Sequence, residues 1–116
     1  MNRSMLALCL LAFAAGASAE AAGGFKGPGG VRSVTVAEAK NLPDDSQVKV
    51  TGRIVRSTGD EEYEFEDESG SMIVEIDDDD WRGIEADPST VVELTGEVDH
   101  DANEVELDVD RLTLLR

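Results

Sequence analysis

Carboxylates set at every second position carry the chemistry of this sequence. Glu62, Glu64 and Glu66 alternate with Tyr63 and Phe65, and Glu75 and Asp77 alternate with Val74 and Ile76. Successive side chains of an extended chain point to opposite faces, so each run gathers its acids on one side. Glu68-Ser69-Gly70-Ser71 between the runs supplies turn residues. The result is a predicted hairpin with one wet, anionic face suited to capturing cations. Arg53, on the preceding segment, shares that face either as a ligand contact or as the ion-pair partner of a glutamate. An exposed pair of that kind contributes only about 0–1 kcal/mol.

Other constellations are weaker. Asp77 to Asp80 offers four carboxylates in a row, and a hard cation such as Ca²⁺ takes about 6–8 oxygens. Adjacent side chains diverge in extended structure, so this run reads as charge on a solvated turn. Asp99-x-Asp101-x-Asn103 copies the start of an EF-hand loop, but Glu104 stands where glycine is needed and Asp110 where glutamate is needed. A hairpin turn that adds Asp99 and Asp101 to the acidic rim is the simpler reading. His100, the one histidine, has no nucleophile motif beside it. Paired carboxylates for glycoside hydrolysis would need a sugar-sized cleft, which a short chain poor in aromatics hosts badly. No catalytic residue, metal ligand set or cofactor is therefore expected. Trp81 has two readings: a surface that stacks on a sugar or cation, or a cap on the core.

Composition narrows the partners. The 116 residues carry 26 acidic and 10 basic side chains, a formal charge of −16. Nucleic-acid and anionic-membrane binding need clustered Lys and Arg, which this chain lacks. Cationic small molecules and basic peptides are favoured, with solubility as the plain alternative role for the charge. Arg3, the apolar run Met5–Ala15 and Ala17-Ser18-Ala19 form a predicted signal peptide over residues 1–19, cleaved after Ala19. The run is too short for a permanent membrane helix, which needs roughly 20 residues, so no membrane insertion is expected. Cys9 invites a lipoprotein reading, but Leu8 precedes it and the apolar run continues beyond it. Export leaves a cysteine-free chain of 97 residues with nine basic and 26 acidic groups, formally −17. That length suits one small domain.

Several elements must position the acids. Residues 20–32 read as a flexible Gly-rich leader, with Phe25 its single aromatic. Thr35-Val36-Ala37-Glu38 has the form of a capping box for a short helix that buries Val36, Ala39 and Leu42 and stops at Pro43. A long first strand over 47–56 is interrupted at Gly52, where a bend lets one strand serve two sheets. Turns are expected over Ser57–Glu61 and Asp99–Asn103, and a turn or single helical turn over the stretch with Trp81, Gly83 and Pro88. Two further runs, Val92 to Val98 and Glu104 to Asp110, alternate apolar and polar residues. Five half-buried strands with these connections predict a mainly β fold over 33–116: a small five-stranded OB-fold barrel with a short N-terminal helix. An SH3-like barrel is the alternative.

Specific residues carry a family resemblance. Gly24-Phe25-Lys26-Gly27-Pro28, Tyr63-x-Phe65-x-Asp67-x-Ser69-Gly70, Val74-x-Ile76-Asp77-x-x-x-Trp81-x-Gly83 and Val92-Glu93-x-x-Gly96-Glu97-Val98-Asp99 together resemble the bacterial OB-fold (BOF) family, the YgiW/YdeI type of periplasmic stress proteins. The resemblance implies a periplasmic address, an OB barrel without catalytic residues, binding of cationic ligands rather than nucleic acid, and a part in envelope stress tolerance. The chain departs from the pattern at Asp78–Asp80, where members carry basic residues, and at His100-Asp101-Ala102, where they carry Lys-Asp-Trp. Both changes make it more anionic. In OB-folds the face of the second and third strands is the usual binding surface. The expected ligand surface comprises Arg53, Glu62, Glu64, Glu66, Glu75, Asp77, Trp81, Asp99 and Asp101. Cell-wall glycan or another envelope protein is the alternative partner.

Overall fold

The computed structural model describes residues 30–101 and 103–116. The expected signal peptide, Phe25 and Ala102 lie outside the described residues. Strand β1 (Arg32–Ser33) runs parallel to β2 (Gln47–Gly59), with Arg32 beside Val48. Pairing thus reaches back to Arg32, inside the stretch expected as leader.

A four-residue helix, α1 (Val36–Ala39), follows. Its first turn is held as the sequence predicts. Thr35 Oγ1 accepts from the Glu38 N–H at 3.1 Å, and Glu38 Oε1 accepts from the Thr35 N–H at 2.9 Å. The next donors are met from elsewhere: Val36 N–H donates to Asp67 Oδ2 and Ala37 N–H to Ser69 Oγ, both at 2.9 Å. So short a helix cannot persist alone, and burial of Val36 and Ala39 in the core fixes it. Thr35→Ala is expected to cost about 1 kcal/mol, read as a lower midpoint in a urea melt.

The barrel is formed by β2, β3 (Glu62–Asp67), β4 (Gly70–Ile76), β5 (Val92–Asp101) and β6 (Glu104–Leu114). Antiparallel pairs β2–β3, β3–β4, β6–β5 and β5–β2, with one parallel pair β4–β6, close the ring. This is the five-stranded OB arrangement with β1 added. Gly52 is the pivot of β2, which pairs with β5 through Gly52 and with β3 from Arg53 onward. Phe65, Ile76, Leu94 and Leu107 fill the interior with the valines that alternate along the strands.

Two expected loops are instead mostly strand. β2 continues through Gly59, absorbing register shifts between Ile54 and Arg56 and between Ser57 and Gly59, so only Asp60 and Glu61 turn. Glu61 takes the left-handed conformation at φ 58° that a two-residue reversal requires. β5 likewise runs through Asp101, paired with Glu104 at the start of β6. The physical reason is the same in both: a paired strand satisfies backbone groups that a polar loop would leave to water.

The connector holds one 3-10 turn, Asp78–Trp81. Asp77 caps it, accepting from the Asp79 N–H at 3.0 Å. Trp81 packs on the core and meets Tyr63 edge to face, ring centres 5.6 Å apart at 74°.

Candidate ligand-binding face

The outward positions of β3, β4, β6 and β5 lie side by side. Glu62 stands opposite Glu75, Glu75 beside Asp108, and Asp108 opposite Glu97. The neighbouring row runs Glu64, Ile73, Glu106, Asp99, and Asp101 pairs with Glu104 beyond it. Like charges opposed across strands are destabilising, so this face is held together by the apolar alternation beneath it.

The titration of these groups reflects that crowding. Partial burial pushes the Glu106 carboxyl up to about 7, helped by Glu104, Glu62 and Asp101. Burial also raises Glu75, with Asp108, Glu61, Glu62 and Asp99 adding repulsion. Asp108 is raised by burial and then by Asp110, Asp99 and Asp80. In each case burial is the larger cause and the neighbouring carboxylates the next, and only the second is repulsion that a cation would relieve. Asp67 behaves oppositely. Burial raises it, but hydrogen bonds from the Ser69 hydroxyl and from the N–H groups of Val36, Ser69 and Gly70 hold it below the ordinary range.

The residues expected at the site divide into three groups. Glu62, Glu75, Asp99 and Asp101 lie in the acidic field. Arg53 pairs with Glu66 at 3.3 Å, and Glu64 pairs with Arg56 at 2.6 Å, so the β2 edge of the face is partly neutralised. Asp77 is occupied as a cap, and Trp81 is half-buried against Tyr63. His100 is also structural: its Nε2 lies 2.6 Å from the Leu42 carbonyl and its N–H donates to Asp44 Oδ1.

Glu104, Glu106 and Asp108 are central to the face and absent from the expected set. Their alternation along the last strand is visible in the sequence. Only the parallel β4–β6 pairing puts them beside Glu75. Among the described residues no group of three or more His, Cys, Asp or Glu side chains could hold a metal ion. Two grooves flank the face. One of about 630 Å³ is lined by Thr51, Arg53, Glu66, Asp67, Ser69 and Val91 among others, and one of about 400 Å³ opens between β4 and β6. No helix of the described residues is long and apolar enough to cross a membrane.

Comparison with known proteins agrees with this architecture. Residues 12–114 match the family described as Bacterial OB fold (BOF) protein. The chain is 46% identical to Protein YgiW of Escherichia coli strain K12 over 121 residues, covering 94% of this chain and 90% of that protein. It is 42% identical to the calcium-regulated OB-fold protein CarO of Pseudomonas aeruginosa over 96 residues, covering 82% of this chain and 83% of CarO. The solved structure of the Escherichia coli YgiW protein superposes with a TM-score of 0.71 at 44% identity, over 80% of this chain and 99% of that one.

Proposed function

The chain belongs to the bacterial OB-fold (BOF) family, and on that premise we propose that it is a non-catalytic periplasmic module that binds cationic ligands, basic peptides above all, in support of envelope stress tolerance. The observation that carries this reading is the meeting of Glu62, Glu75, Glu106, Asp108 and Asp99 on one outer face, with Glu75, Glu106 and Asp108 all raised. Carboxylates so crowded gain more from a cation than scattered surface acids do. The ligand surface is therefore assigned to β3–β4–β6–β5, shifted away from the Arg53 and Arg56 edge.

The name of the Pseudomonas aeruginosa relative ties that protein to calcium regulation. Here the acids lie in rows along strands rather than around a point, which suits an extended polycation better than a single divalent ion. A reading as a glycan binder has one supporting feature, the groove lined by Thr51, Arg53 and Ser69, which mixes hydroxyls with a guanidinium.

Titration of the protein with an oligolysine peptide, followed by amide chemical shifts, tests the assignment. Shifts are expected on β4 and β6 around Glu75 and Asp108. Glu75→Lys should weaken binding about tenfold, and rising salt should weaken it further. Binding that is indifferent to both would remove the acidic face from consideration.

A further inference from the structure

The split between β4 and β6 carries a more specific observation. The two strands pair only from Ile73 and Glu106 onward. Before that point an open groove of about 400 Å³ lies between them, lined by Lys40, Glu64, Ser71, Met72, Asn103 and Glu104 among others. Its apolar surface is supplied by buried Met72 and by half-buried Ile73 and Val105. Glu104 supplies negative charge, and Glu64 lines the groove while paired with Arg56. Lys40, just past the end of α1, reaches in so that Nζ donates to the Ser71 carbonyl at 3.0 Å. Among the described residues the ion pairs are Arg53–Glu66 and Arg56–Glu64, so this ammonium is held by a neutral carbonyl.

A primary ammonium on an aliphatic stem is therefore already seated in the groove. The arrangement suits that group. An ammonium presents three donors from a compact charge, and its methylene stem packs on apolar surface while the head stays polar. We propose that this groove is a subsite for an aliphatic primary ammonium, on a lysine side chain or a free alkyl diamine, and that Lys40 is its built-in occupant, displaced when ligand binds. The subsite rests on the reading of the neighbouring face as a cation-binding surface and names the group that surface takes. Displacing Lys40 frees the Ser71 carbonyl and leaves Glu104 to meet the incoming charge.

Occupancy by Lys40 acts as competition, so the apparent affinity is the intrinsic one reduced by the fraction of open groove. The test is an amide-shift titration of the labelled protein with 1,5-diaminopentane and, separately, with Nα-acetyl-lysine methylamide. Both should move the amides of Ser71, Ile73 and Val105. Lys40→Ala and Lys40→Gln should each tighten binding about three- to tenfold, and Glu104→Gln should weaken it by a similar factor. Both variants remove the ammonium, and the glutamine variant at Lys40 keeps part of the stem that the alanine variant removes, separating lost competition from lost packing. A response to both probes assigns the ammonium alone as the recognised group. A response to the lysine derivative only assigns a peptide source. Unchanged affinity in both Lys40 variants, or shifts confined to Glu75 and Asp108, overturns the groove while leaving the acidic face in place. No shift with either probe, together with no response to oligolysine, overturns both.

Discussion

Gly96→Ala is expected to lower the melting temperature by roughly 5–25 °C, as an overpacked core site costs about 1–3 kcal/mol and each kcal/mol moves a domain of this size by about 4–8 °C. A Cβ at Gly96 would sit 2.2 Å from the Asp108 carbonyl oxygen and 2.9 Å from the Val109 Cα. Both neighbours are backbone, so no side chain can swing aside. Gly96 also lies at the register shift between β5 and β6. The added methyl would push apart the strands that hold Asp99, Glu97 and Asp108 in one field, and loss of stability should be accompanied by loss of oligolysine binding. Gly52→Ala should behave alike, because its Cβ would meet the Glu66 carbonyl oxygen at 2.2 Å and the Phe65 ring at 2.9 Å. Gly59→Ala is the control. Its added Cβ meets only the Glu62 side chain, at 3.3 Å, and the change should fall within about 0.5 kcal/mol. Thermal melts of the three variants decide the matter: a Gly96→Ala protein within a few degrees of the parent would refute the close approach.

Those glycines also show what sequence could and could not reveal. Gly52 announced a bend because it breaks an otherwise regular strand, and the bend is where β2 changes partners. The capping box at Thr35 is equally legible, since it depends on residues a few positions apart, whereas Trp81 keeps two readings in the sequence because its partner Tyr63 lies two strands back. The acidic face was legible only in halves. Glu62 and Glu75 belong to one hairpin and meet across a local pairing. Glu106 and Asp108 come from a strand about thirty residues later, and their place beside Ile73 and Glu75 is set by a parallel pairing that no local pattern specifies. Arg56 is hidden from local pattern for a related reason. The register shift after Ile54 turns it outward against Glu64, whereas strict alternation would have placed it inside.

Thermal stability and ligand affinity are expected to respond to pH in opposite directions, and Glu106 is the group that links them. Its carboxyl rises from the ordinary 4.5 to about 7 because burial and the negative groups around it disfavour a further charge. Those groups are Glu104 on its own strand, Glu62 on β3 and Asp101 on β5, and Asp99 stands directly opposite it. The folded protein thus holds this proton more tightly than the unfolded chain. Stability from Glu106 is complete below the ordinary carboxylate value and is lost as pH rises through about 7. Asp67 works the other way: its lowered pKa contributes stability above its ordinary 3.8 that is lost as pH falls through the depressed value. Melting temperature should therefore peak in mildly acid solution and decline from about pH 5 to about pH 8. Glu106→Gln should flatten that decline and leave the variant more stable than the parent at about pH 8. Oligolysine should bind more tightly over the same rise in pH, since the bare carboxylate is the form a cation prefers, and that gain should vanish in the glutamine variant. A parent and variant with parallel melting and binding profiles would deny Glu106 this role. The expected trade has a physical basis in the fold itself. Hydrophobic alternation beneath the strands forces carboxylates together at a cost in stability, and a bound cation relieves that repulsion.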